Sequence, residues 1–119
     1  MPRPRKCRKV CCLPKTKEFY PADGTTDAVI LTVDEYETIR LIDKEGFSQE
    51  ECAGFMQVAR TTVQQIYNAA RGKIASALVD GIGIRIEGGE YILCDGKENH
   101  CNCGGCRKHR KSLHGRHCE

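Results

Sequence analysis

Cys101-x-Cys103-x2-Cys106, with His100 beside it and Cys94 upstream, is the densest group of metal-binding side chains in the sequence. Glycines 104 and 105 permit the bend that Cys103 and Cys106 need to converge on one ion. Four thiolates from Cys94, Cys101, Cys103 and Cys106, or a set in which His100 replaces one, suit tetrahedral zinc. The same residue types suit an iron–sulfur cluster, and the sequence does not separate the two. A second group, Cys7-x3-Cys11-Cys12, lacks a nearby fourth ligand, although cysteines from both ends could meet across the fold. His109, His114, His117 and Cys118 fit no single site, and Cys52 reads as a small core residue. A tail that binds metal only adventitiously is the plain alternative.

A different chemistry is written into residues 48–78, SQEECAGFMQVARTTVQQIYNAARGKIASAL. Val63, Ile66, Tyr67, Ala70, Ile74 and Leu78 recur at helical spacing and mark one buried face. Arg60, Thr61, Gln64, Gln65 and Asn68 are left facing outward, and none is acidic. Such groups suit the major groove of double-stranded DNA. Arg forks onto guanine, Gln and Asn pair with adenine, and Thr reaches phosphate or a thymine methyl. Lys73 and Arg71 extend the basic character. A plain three-helix bundle with a wet polar face is the competing explanation.

The elements that position these residues have clear starts. Thr32 and Glu35 form a capping box, with Leu31 and Tyr36 at staple spacing. A helix carrying Val33, Tyr36, Ile39 and Ile42 should follow and end at Gly46. Ser48 and Glu51 repeat the box, flanked by Phe47 and Cys52, and open a helix of about two turns. A break near Gln57-Val58 precedes the third helix, expected from Arg60 to about Asp80, with Gly81 as terminator. Ala53 is small where the second and third helices should cross, and Val58 should plug the turn. The turn carries Gln57 where glycine is common, and Ala59 cannot cap. Together they should weaken it by about 1–2 kcal/mol.

Residues 84–93 (IRIEGGEYIL) predict a hairpin turning at Gly88-Gly89. Residues 1–27 read as irregular, punctuated by Pro2, Pro4, Pro14 and Pro21 and a turn at Asp23-Gly24. The expected organisation is a basic arm (1–27), a helical domain with its hairpin (28–93) and a Cys/His-rich tail (94–119). In fold class this is mainly α: a three-helix helix-turn-helix domain with a short C-terminal β-hairpin and irregular Cys-rich ends.

Length and composition bound the rest. At 119 residues with 39% hydrophobic and no Trp, the chain can support one modest core. No apolar run reaches the roughly 20 residues of a membrane helix, and no leader is visible, so the expected compartment is the cytoplasm. Nine cysteines, an odd number, argue against a complete disulfide framework there. Residues 1–20 hold seven Lys/Arg against one Glu, and Arg3, Arg5, Lys6, Arg8 and Lys9 could lie in a minor groove. A solvated tail is the alternative for that arm.

The opening PRPRKCRKVCCLP, the block LTVDEYETIRLIDKEGFSQEE and the stretch ALVDGIGIRIEGGEY resemble domain of unknown function 134, also called uncharacterised protein family 0251. The resemblance covers about residues 1–93. It implies a fold similar to region 4 of primary sigma factors and a DNA-binding role.

The expected function is sequence-specific DNA binding in transcription regulation, responsive to metal or redox state. A metal-binding accessory protein (zinc or iron–sulfur) that docks a protein partner is the alternative. An enzyme is not expected. Cys103-x2-Cys106 lies outside any strand-to-helix unit that would lower a thiol pKa, and no nucleophile, base and pocket assemble. A monomer and a homodimer are both compatible with the sequence, which has no heptad repeat.

Overall fold

The computed structural model describes residues 8–93. Strand β1 (Arg8–Val10) leads to β2 (Glu18–Phe19) and β3 (Ala28–Leu31), and three helical segments follow. Helix α1 (Val33–Thr38) continues as a π-helical turn over Ile39–Lys44, then come α2 (Gln49–Met56) and α3 (Arg60–Asp80). Strands β4 (Gly83–Ile86) and β5 (Tyr91–Leu93) close the described chain.

Both capping boxes form. The Thr32 hydroxyl accepts from the Glu35 N–H while the Glu35 carboxylate accepts from the Thr32 N–H at 2.9 Å. Ser48 and Glu51 repeat the exchange at 3.0 and 2.9 Å. Each box satisfies donors that a helix start otherwise leaves open. Past the π-helical turn, Gly46 takes φ +85° and lets the Phe47 N–H return to the Leu41 carbonyl at 3.0 Å. Gly81, at φ 69°, ends α3 as expected.

Two apolar clusters hold the elements. Val10, Leu31, Val33, Ala70 and Ile86 join the strands to α1 and the middle of α3. Leu41, Cys52, Ala53, Met56 and Val63 join the π-helical turn to α2 and the start of α3, with Phe47, Phe55 and Val58 packed against them. Phe47 and Phe55 meet edge to face, centroids 4.7 Å apart. Cys52 is fully buried, with its Sγ 3.7 Å from the Met56 Sδ.

The strands depart from expectation. Residues 84–93 do not form a hairpin: β4 lies between β2 (antiparallel) and β3 (parallel), while β5 pairs in parallel with β1. Gly88 and Gly89 do have positive φ, 75° and 95°. They carry the chain over the start of α1, where the Val33 N–H donates to the Gly88 carbonyl at 3.0 Å. A Cβ at Gly89 would collide with Asp34 Oδ1 and lie 2.8 Å from the Thr32 Cβ. Gly89 thus answers a close crossing over the start of α1, whereas Gly88 answers only the positive φ of the bend.

The N-terminal region is also less irregular than expected, since it supplies β1 and β2. Arg8 and Lys9 therefore do not belong to an open basic arm. Lys9 is buried, and Arg8 reaches Asp34 at 3.3 Å and Glu90 at 3.4 Å. Leu78 does not join the buried stripe. It is 76% exposed beside Val79, while Ala77 turns inward instead.

Candidate nucleic-acid interface

The turn before α3 has the geometry its sequence made costly. Gln57 sits at φ 60°, ψ 46°, the only non-glycine residue at positive φ among those described. Its N–H reaches the Gly54 carbonyl at 3.3 Å, and the Val58 N–H reaches Ala53 at 3.1 Å. Ala59 occupies the N-cap with extended backbone and offers no side-chain acceptor. Val58 is half-buried against the second cluster and seats the turn, as the sequence implied.

Beyond that turn, α3 divides cleanly. At about 100° per residue, Arg60, Thr61, Gln64, Gln65 and Asn68 fall within an arc of about 140°, and all five are exposed. Val63, Ile66, Tyr67 and Ala70 occupy the opposite arc and are buried. Tyr67 fixes the rotation of the helix: its hydroxyl donates to Asp43 Oδ1 at 2.7 Å. Burial, reinforced by that carboxylate, raises the Tyr67 pKa and keeps the phenol protonated as a donor.

The basic continuation along α3 is not free. The Arg71 guanidinium stacks over the Tyr67 ring at 5.4 Å, and the Lys73 ammonium donates to Glu35 Oε1 at 2.7 Å. Glu35 thereby caps α1 and ties it to α3. The outward polar surface is thus concentrated in the first half of α3.

Sequence reading missed the partners of that surface. Arg60 and Gln64 line a polar cleft of about 660 Å³ together with Ser48, Gln49 and Glu50 from the start of α2. Glu50 brings a carboxylate beside an otherwise acid-free face. Packing of α2 on α3 through Ala53 and Val63 sets the start of α2 beside the first turns of α3, a juxtaposition that neither helix's own sequence displays.

Of the other residues singled out, Arg3, Arg5, Cys94, Cys101, Cys103 and Cys106 lie outside the described residues. Cys11 and Cys12 are described and buried, with their Sγ atoms 3.8 Å apart. The Cys11 N–H donates to Glu37 Oε2 at 3.0 Å. Glu37 in turn accepts from Arg40 Nε at 2.8 Å and Nη2 at 2.9 Å. Burial opposes the Arg40 charge, but Glu37 overrides it and holds the guanidinium pKa above its ordinary value. Among the described residues, no helix is long and apolar enough to cross a membrane.

A family model described as "Protein of unknown function DUF134" matches residues 1–94. A "UPF0251 protein" of Desulfitobacterium hafniense is 60% identical over 116 residues, covering 95% of this chain and 92% of the relative. One from Caldicellulosiruptor saccharolyticus is 56% identical over 104 residues (87% and 75%). Another, from Moorella thermoacetica, is 49% identical over 107 residues (87% and 72%). No solved structure matches the chain significantly.

Proposed function

The chain belongs to the DUF134 family, and from that premise we propose that it binds double-stranded DNA sequence-specifically as a transcription regulator. The reading element is a helix-turn-helix, α2–turn–α3, of the kind used by sigma-factor region 4. The observation that carries this reading is the exposed polar arc from Arg60 to Asn68, which lies opposite the buried arc of the same helix.

In this reading α3 lies in the major groove. Arg60 and Gln64 read bases nearest its amino end, Gln65 and Asn68 read adenines, and Thr61 contacts phosphate or a thymine methyl. The absence of a side-chain cap at Ala59 leaves first-turn N–H groups for a phosphate. Ser48 and Gln49 flank the same cleft and suit the adjoining backbone, whereas Glu50 disfavours phosphate and suits a cytosine amino group. Arg3 and Arg5, just ahead of β1, add electrostatic contacts.

The test is binding of the full chain to duplexes selected from a random library, at stepped salt. Affinity should fall as salt rises, with a log–log slope of about 0.9 per phosphate contacted. Arg60→Ala and Gln64→Ala should each lose about 1–3 kcal/mol of discrimination between selected and scrambled duplex. Unchanged selectivity in both variants refutes the assignment of α3 as the reading helix. A metal-binding accessory role is the second reading, favoured by the close approach of the Cys11 and Cys12 thiols.

A further inference from the structure

The three-stranded sheet is broader than the helix that covers it. α3 packs chiefly over β3 and less over β4, and β2 lies on the far side of β4. Residues paired across strands share a face, as do residues two apart in one strand. Phe19 stands opposite Ile84, and Leu31 opposite Ile86, so these four side chains form one apolar floor. Tyr36 of α1, Ile74 of α3 and residues 14–16 supply the walls of a cavity of about 340 Å³ above it.

Leu31 and Ile86 are buried at its base, whereas Phe19 is 51% exposed. An aromatic ring left half in water beside an apolar cavity gains from whatever fills it. The rest of the chain supplies little to do so. Residues 1–7 and 94–119 contain Met1 and Leu113 as their only large aliphatic or aromatic side chains. A docked partner helix needs anchors at successive turns along a groove, and this is a single recess.

Size and lining define the ligand that fits. An apolar cavity of roughly 150 Å³ holds one benzene, so this one holds about two fused rings. The Phe19 and Tyr36 rings offer edge-to-face or offset partners to a planar guest. Polar side chains enter through residues 14–16, where Lys15 and Thr16 are both exposed and so stand at the mouth. Lys15 already has a partner, but an ammonium carries three donors and can hold a carboxylate as well. Apolar walls with a few polar groups at one end are the usual make-up of a small-molecule site.

We propose that this cavity binds a small planar aromatic carboxylic acid of about two rings. Its rings lie over Phe19 and Ile84 between Tyr36 and Ile74, and its carboxylate meets the Lys15 ammonium and the Thr16 hydroxyl. The site shares no residue with the cleft between α2 and α3, and it stands independently of the DNA-binding reading.

The experiment titrates the full chain, methyl-labelled for nuclear magnetic resonance, with naphthoate, naphthamide and decanoate. Saturable binding of one naphthoate per chain is expected, with contacts from the ring protons to the Ile74, Ile84 and Ile86 methyls. Phe19→Ser should weaken it by about tenfold. Lys15→Met should weaken naphthoate by up to about fivefold and leave naphthamide unchanged. Should Phe19→Ser fail to fold, the contact pattern in the wild-type chain decides. The absence of saturable binding at millimolar naphthoate, ring contacts at other methyls, or undiminished binding in folded Phe19→Ser overturns the proposal. Tighter binding of decanoate than of naphthoate does so too, as does a cavity already covered by Leu113 or by a second copy of the chain.

Discussion

Replacing Arg40 by methionine should be among the most damaging single changes in the described core. Glu37 is fully buried and Arg40 nearly so, and two short hydrogen bonds join them. Without the guanidinium, the Glu37 carboxylate keeps only the Cys11 N–H among these donors and stays buried with an unbalanced charge. Removing one partner of such a pair costs about 3–5 kcal/mol. Against a total stability of about 5–15 kcal/mol, that is a large fraction, and the thermal midpoint should fall by about 12 °C or more. Glu37→Gln should cost less, because Arg40 retains Glu45 at 3.5 Å near the surface. The double variant Glu37→Leu with Arg40→Met should recover part of the loss, since no charge is then stranded. Urea unfolding followed by circular dichroism, in chelator, gives all three values. A loss below about 1 kcal/mol for Arg40→Met, or a double-variant loss as large as that of Arg40→Met alone, refutes the reasoning.

The turn and the core thiol make further predictions. Gln57→Gly relieves a left-handed backbone and Ala59→Ser adds a capping hydroxyl. Each should stabilise the fold by about 0.5–1 kcal/mol in the same unfolding assay, and a loss in either would mean the turn is held otherwise. Burial raises the Cys52 thiol from 9.0 to about 12. Its contribution to stability should be constant below about pH 9 and decline between pH 9 and 12, where the unfolded chain ionises first. Mass-mapped alkylation at pH 9 should spare Cys52 in the folded protein, and rapid modification there would contradict its burial.

The helical half of the fold was legible because its signals are local. Thr32/Glu35 and Ser48/Glu51 are four-residue patterns whose hydrogen bonds close within one turn. The buried arc Val63–Ala70 follows from periodicity alone. The two strands around Gly88-Gly89 were legible, but their pairing was not, because the partners are distant: Tyr91–Leu93 pairs with Arg8–Val10, and Gly83–Ile86 with Glu18–Phe19 and Ala28–Leu31. Gly88-Gly89 carried the right backbone message, positive φ, but two contexts demand it, a tight turn and a crowded crossing. Glu37 and Arg40 escaped notice because a pattern built on apolar residues assigns charges to the surface. The i,i+3 spacing that lets them neutralise each other is the clue that was available. For the candidate interface, the exposed residues of α3 were readable from its own sequence. Ser48, Gln49 and Glu50 required the packing of two helices.

The most direct measurement is a nuclear magnetic resonance titration of the isotopically labelled full chain with its selected duplex. Shift changes concentrated at Arg60, Thr61, Gln64, Gln65 and Asn68, and at Ser48–Glu50 around the shared cleft, are the predicted result. Shifts confined to other faces of the molecule, such as the exposed end of α3 at Leu78 and Val79, would contradict the account.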